Sequence, residues 1–238
     1  MLKPIPSLKS LLLLIAGAGI LLAGALFSGI LHANTGADFN RLHERFVANS
    51  SPPPNEAIFT EWRGLIERSR GQNNASALKQ VNDFINKKIK FESDLQIWNK
   101  NDYWATPMQS IALQLGDCED YSIAKYFTLA SAGVPEEKLR LMYVQATLNH
   151  QYTQAHMVLA YYATPDAEPL VLDNLNPEIL PASNRDDLKP VYSLARRDTP
   201  SPNLENSDTQ ARLKEAMRQT RMSVWQELIK RAQSEGFD

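Results

Sequence analysis

The sequence predicts an α+β fold in which helices flank a small antiparallel sheet. Apolar residues recur at helical spacing in three stretches between residues 39 and 89, and again from 117 to 132. The pattern changes at Gly133 and Pro135. Beyond them, apolar runs at 139–148, 156–163 and 170–175 are short, rich in β-branched and aromatic residues, and joined by brief polar links. Strands in that order and at that spacing pair most simply as an antiparallel meander.

Taken in order, Phe39, Leu42 and Phe46 share one face of a short helix, which the breaker Ser51-Pro52-Pro53-Pro54 ends. A second helix is expected from Glu56 to about Arg70, burying Phe59, Trp62 and Ile66. A turn follows at Gly71-Gln72-Asn73-Asn74. A third helix begins near Ser76, with Leu78, Val81, Ile85 and Ile89 on one stripe. Residues 91–108 have no clear period and read as a structured loop, with Trp98 and Trp104 as core or cleft-wall residues. The helix from Asp117 to Ala132 is apolar nearly all round, which predicts a central, buried position. Gly133 suits its C′ stop. Residues 177–202 are proline-rich and loop-like, with one further strand at Val191-Tyr192-Ser193. A last helix, about Ser207 to Glu235, puts Leu213, Met217, Val224 and Leu228 on one face.

The first residues differ in kind. Lys3 and Lys9 precede an uncharged apolar run from Leu11 to Leu31, the pattern of an export signal. Cleavage after Ala25 or Ala33 fits the small-residue rule, and the run is also long enough for an uncleaved anchor. Either reading places the body of the chain outside the cytoplasm. The expected organisation is residues 1–33 as signal peptide or membrane anchor, 34–203 as the main domain and 204–238 as a C-terminal helix. With 43% hydrophobic residues, 22% charged residues and a net charge of −2, the chain can bury a substantial core. It shows no basic stripe for nucleic acid.

Cys118 is the only cysteine, so no disulfide can form within the chain. It lies in the first turn of its predicted helix, where exposed N–H groups and the helix dipole favour a thiolate. Downstream, His156 opens one predicted strand and Asp173 closes the next, so the pairing of those strands would bring the two side chains together. A thiol, a base and an orienting carboxylate form a nucleophilic triad. Taken singly, each has a plainer reading: a small core cysteine, a structural histidine, a turn aspartate. The Cys118 N–H is a candidate oxyanion donor, and Gln114 and Trp104 are both candidates for the second. The flanking acids Asp117, Glu119 and Asp120 suit a helix N-terminus, yet their charge opposes a thiolate. Two readings stay open: simple helix capping, or carboxylates gathered around a hard cation such as Ca²⁺.

The blocks Asp102-Tyr103-Trp104-Ala105-Thr106-Pro107, Gly116-Asp117-Cys118-Glu119-Asp120-Tyr121, His156-Met157-Val158-Leu159 and Leu172-Asp173-Asn174-Leu175 resemble those of the bacterial transglutaminase-like cysteine proteinases. The resemblance implies a papain/transglutaminase-like core, with the nucleophile on a central helix packed against an antiparallel sheet. It implies Cys118 as nucleophile, His156 as general base and acid, and Asp173 as orienting acid. It also implies Ca²⁺ held by Asp117, Glu119 and Asp120. The implied setting is the periplasm. The implied substrate is the N-terminal region of a large biofilm adhesin held in the outer membrane, and the implied regulator is an inner-membrane cyclic di-GMP receptor that sequesters the protease. A transglutaminase-type acyl transferase and a non-catalytic adhesin- or receptor-binding module are the alternatives.

Overall fold

The computed structural model describes residues 37–48, 54–149, 151–195 and 209–237. The expected signal or anchor at 1–33 and most of the breaker at 51–54 lie outside the described residues. Three helices open the described chain: α1 (Phe39–Ala48), α2 (Glu56–Ser69) and α3 (Asn74–Lys88). Their starts follow from local chemistry. Asn55 accepts from the Ala57 N–H at 3.1 Å, and Asn73 from the Ser76 N–H at 2.9 Å. Leu42, Phe46, Trp62, Ile66, Leu78, Val81 and Ile85 are buried, as their spacing predicts.

The stretch 91–108, expected as a loop, is more ordered than that. β1 (Lys90–Phe91) is followed by a one-turn helix, α4 (Asp94–Trp98), which stops where Asn99 turns left-handed at φ 54°. A helix of five residues is too short to display a period, which is why the sequence hid it. α5 (Pro107–Leu113) starts with Pro107 at its first position and a reciprocal cap between Thr106 and Gln109. β2 (Leu115–Gly116) then pairs in parallel with β1. That pairing fixes the entry to the central helix, α6 (Cys118–Ser131).

α6 is buried on almost every side, between the sheet and helices α3 and α5. Its end is a Schellman motif: the Gly133 N–H donates to Ala130 O at 2.9 Å and the Val134 N–H to Leu129 O at 3.0 Å, with Gly133 at φ 93°. Polar side chains on so apolar a helix are individually placed. The Trp62 indole N–H donates to Thr128 Oγ1 at 2.9 Å, and Ser122 Oγ donates to Met157 O at 3.1 Å.

The sheet comprises β3 (Leu139–Leu148), β4 (Tyr152–Tyr161), β5 (Leu170–Leu172), β6 (Leu180–Pro181) and β7 (Leu188–Leu194), all antiparallel, in the order β6-β5-β4-β3-β7. The meander holds through β6. β7 then crosses back to the outer edge of β3, a return that strand spacing does not reveal. It accommodates Pro190 because the β3–β7 register shifts between Tyr143 and Val144, at a sheet edge. β4 starts four residues before the expected His156, because Tyr152–Ala155 form an exposed end of the hairpin. β5 ends at Leu172, so Asp173 follows the strand instead of closing it.

α7 (Thr209–Glu235) belongs to the same compact unit, Gly36–Asp238. Its buried face is Trp225, Leu228, Ile229 and Ala232, while Leu213 and Met217 are 54% and 46% exposed. The expected stripe is therefore correct only in its second half. Trp225 sets edge-on against Tyr126 and Phe127 of α6, with ring centroids 5.2 and 5.9 Å away.

Candidate active site

Cys118 occupies the first position of α6, where its N–H has no intrahelical partner. A cleft of about 600 Å³ opens beside it. Cys118, His156, Trp104 and Tyr143 line the cleft, Phe91 and Leu175 stand at its wall, and Asp102, Asp117, Glu119 and Arg221 bring charge to it. Ser122, one turn along α6 from Cys118, is tied to the Met157 carbonyl, which locks the helix start to the strand that carries His156.

His156 and Asp173 are both buried, and Nε2 of the imidazole lies 2.7 Å from Asp173 Oδ1. Asp173 is over-determined: Oδ1 also accepts from the Leu175 N–H at 3.1 Å, and Oδ2 accepts from Arg185 at 2.6 Å. Its backbone carbonyl accepts from Asn86 of α3 at 2.7 Å. Burial alone would raise this carboxyl. The hydrogen bonds and charges of His156 and Arg185 outweigh it and hold Asp173 down to about 2. An ionised acceptor at Nε2 keeps the imidazole proton there and leaves Nδ1 free to act as a base.

The thiol sits in a hostile field. Burial pushes the Cys118 thiol well above its ordinary range, and Glu119 adds to this through its charge and by accepting from Sγ at 2.9 Å; the Met157 N–H pulls weakly the other way. The acids around it are similarly strained. Burial, with Glu119, Asp120 and Asp94 nearby, lifts Asp117 to about 9. Asp94 rises to about 6, chiefly through burial, and Asp120, fully buried, is raised as well.

Sequence reasoning named Asp117, Glu119 and Asp120 as the metal set, and the ligand atoms of Asp117 and Glu119 do lie together, beside the Cys118 thiol. Ligand oxygens of Asp94, Asp117 and Asp120 lie within 4.8 Å of one another, and so do those of Asp94, Asp102 and Glu119. Asp94 and Asp102 were missed because the chain around them shows no period. Asp120 is the opposite of a solvated helix residue, since it accepts from the Ala105 N–H at 2.8 Å and the Asp117 N–H at 3.4 Å. Asp94 Oδ1 and Asp117 Oδ1 are buried without a hydrogen-bond partner among the described residues. Orphaned carboxylate oxygens on residues of an all-oxygen donor set fit a hard divalent cation.

Of the two candidates for a second oxyanion donor, Gln114 is spent elsewhere, since its amide donates to Lys88 O at 3.2 Å. Trp104 lines the cleft, and its indole N–H has no partner among the described residues. Arg185, invisible in a proline-rich stretch read as loop, is a side-chain partner of the Asp173 carboxylate that the sequence offered no signal for.

Comparison with known proteins agrees with this arrangement. A family model described as bacterial transglutaminase-like cysteine proteinase BTLCP matches residues 63–197, more than half of the chain. Solved structures of Legionella pneumophila LapG are similar. The calcium-bound form is 35% identical with a TM-score of 0.58, covering 76% of this chain and 98% of that one. A second LapG structure is 37% identical with a TM-score of 0.56, covering 73% and 96%. The EGTA-treated form is 37% identical with a TM-score of 0.57, covering 75% and 96%. Among curated protein sequences none matches. Both the central cysteine helix on an antiparallel sheet and the sequence likeness lead to one conclusion: the chain belongs to the bacterial transglutaminase-like cysteine proteinase family.

Proposed function

We propose that the protein is a calcium-dependent endopeptidase of the periplasm that uses Cys118, His156 and Asp173 as its catalytic triad. The observation that carries the reading is His156, hydrogen-bonded to buried Asp173, lining one cleft with a cysteine at a helix N-terminus. His156 Nδ1 takes the proton from Cys118 Sγ, and the sulfur attacks a backbone carbonyl of the substrate. The developing oxyanion has the Cys118 N–H as one donor, and Trp104 is the candidate for the other. His156 returns its proton to the leaving amine, and water, deprotonated by the same imidazole, then cleaves the thioester. Asp173 holds the imidazole tautomer throughout and does not itself gain a proton.

Asp94, Asp117, Asp120, Glu119 and Asp102 are the residues that would hold Ca²⁺. When bound, the ion supplies positive charge that offsets the acid cluster beside the thiol. The calcium-bound and EGTA-treated titles of the similar LapG structures support this choice of metal.

For the substrate we propose the N-terminal region of a large outer-membrane-held biofilm adhesin, cut so as to release it. For the regulator we propose an inner-membrane cyclic di-GMP receptor that sequesters the protease. Support for both comes from the sequence motifs around Cys118, His156 and Asp173. The apolar run at 11–31 supports export, with retention at the inner membrane if it is not cleaved.

The test is incubation of the protein with a cognate adhesin N-terminal fragment, in calcium and in EGTA. Cutting that requires calcium and vanishes in Cys118→Ala supports the reading. Incorporation of a labelled amine into a glutamine donor without cutting would favour acyl transfer, and release of adhesin by Cys118→Ala would favour the binding module.

A further inference from the structure

Arg185 is 3% exposed, yet it carries a full charge. It lies between the short 3₁₀ turn Ala182–Asn184 and β7. Its Nη2 donates to Asp173 Oδ2 at 2.6 Å and to Asp187 Oδ2 at 2.8 Å, and its Nε donates to Asp187 Oδ1 at 2.9 Å. The fork thus grips Asp187 with two nitrogens and presents one of them to the triad carboxylate. Removing a guanidinium from water is costly, and two carboxylates offset that cost only if the geometry is kept.

The consequence falls on the two oxygens of Asp173. Oδ2 is occupied by Arg185, so Oδ1 alone is left for His156 Nε2 and the Leu175 N–H. A carboxylate held at both oxygens cannot rotate. The other charged groups facing Asp173 do not duplicate this role. Lys125 of α6 acts on Asp173 through charge, but burial lowers it to about 7, so it is only partly charged at neutral pH. Asp187 repels Asp173, and His156 changes charge during the reaction itself. Arg185 is the cation beside Asp173 that stays charged throughout.

We propose that Arg185, latched by Asp187, is a positioning residue of the catalytic site. It fixes the Asp173 carboxylate so that the His156 proton stays on Nε2 and Nδ1 stays open to the Cys118 thiol. The proposal rests on the triad reading above.

The test needs no natural substrate, because Cys118 is the only thiol. Alkylation by iodoacetamide is timed in the full chain with calcium present, for the unaltered protein and for His156→Ala, Arg185→Met, Arg185→Lys and Asp187→Asn. The His156 tautomer is read in parallel by ¹⁵N NMR. Arg185→Met is expected to slow alkylation roughly tenfold to a hundredfold, since small displacements of a reacting group have effects of that order. It should also mix the Nε2–H tautomer with the Nδ1–H form. Arg185→Lys should recover part of the rate, as an ammonium cannot span both carboxylates. Asp187→Asn, at a half-exposed position, should slow alkylation a few-fold and carries the test if Arg185→Met does not fold. An ion pair with only a structural role would lower the melting temperature and leave rate and tautomer unchanged. That result, alongside a slow His156→Ala protein, overturns the proposal. A His156→Ala protein as fast as the unaltered one would overturn the triad reading itself, and this proposal with it.

Discussion

The Cys118 thiol donates a hydrogen bond to the carboxylate of the next residue, Glu119, at 2.9 Å. The thiol is therefore held protonated by its own neighbour, after burial has already disfavoured the thiolate. The helix N-terminus favours a thiolate and the acid cluster opposes it, and without a cation the cluster wins.

Glu119→Gln should weaken that grip. With EGTA present at pH 8, alkylation of Cys118 is expected to rise by about tenfold, the effect of about one unit in a thiol pKa. The same variant should respond less to calcium, because Glu119 is one of the acids placed to hold it. A variant slower than the unaltered protein in EGTA would contradict the charge argument.

The acid cluster also makes a prediction about stability. Asp94 and Asp117 have folded-state values of about 6 and about 9, above their ordinary range near 4. Up to about pH 7 the folded chain therefore binds more protons than the unfolded chain, and stability falls as pH rises from about 4 to 7; above that, buried Lys125, lowered to about 7, offsets Asp117. Asp173, held at about 2, acts in the opposite sense, and its contribution is lost only as pH falls below about 4 toward 2. In EGTA the melting temperature should decline between pH 5 and 7. In calcium at about 100 times its dissociation constant it should rise by roughly 5–10 °C, most of all at high pH. Scanning fluorimetry across pH checks both trends.

Gly116 is required by space. A Cβ there would meet Asp120 Cβ at 2.7 Å and Asp120 Oδ2 at 3.0 Å. Gly116→Ala should displace Asp120 from the Ala105 and Asp117 N–H groups and weaken calcium binding by about tenfold or more, read by calorimetry. Unchanged affinity would show that Asp120 does not need its present position.

Much of this site was legible in the sequence, for physical reasons. α6 showed itself because a buried helix must be apolar all round, and Gly133 marked its end because the Schellman turn favours a residue without a Cβ. The proposed triad could be named because a lone cysteine at a helix start is chemically conspicuous. Asp94 and Arg185 were not legible. Each sits in a segment without period and meets its partner, Asp173 for Arg185 and Asp117 for Asp94, beyond the reach of helix or strand spacing. The exposed half of α7 was misread for a related reason. Leu213 and Met217 keep the helical spacing of a buried stripe, but no element packs on them among the described residues.

α7 lies beyond the segment that the family model matches, yet it completes the core under the Cys118 helix. Trp225→Ala should destabilise the protein by about 3–5 kcal/mol, the range for truncating a buried aromatic, measured by urea unfolding. A loss under 1 kcal/mol would mean that α7 is dispensable to the core.

The central claim is that cation binding at the acid cluster makes Cys118 competent. It is tested most directly by the rate of Cys118 alkylation at pH 7 in calcium and in EGTA. The account predicts a rate at least about tenfold higher in calcium, with the gain abolished in Asp117→Asn. Equal rates in the two conditions, in folded protein, would contradict it.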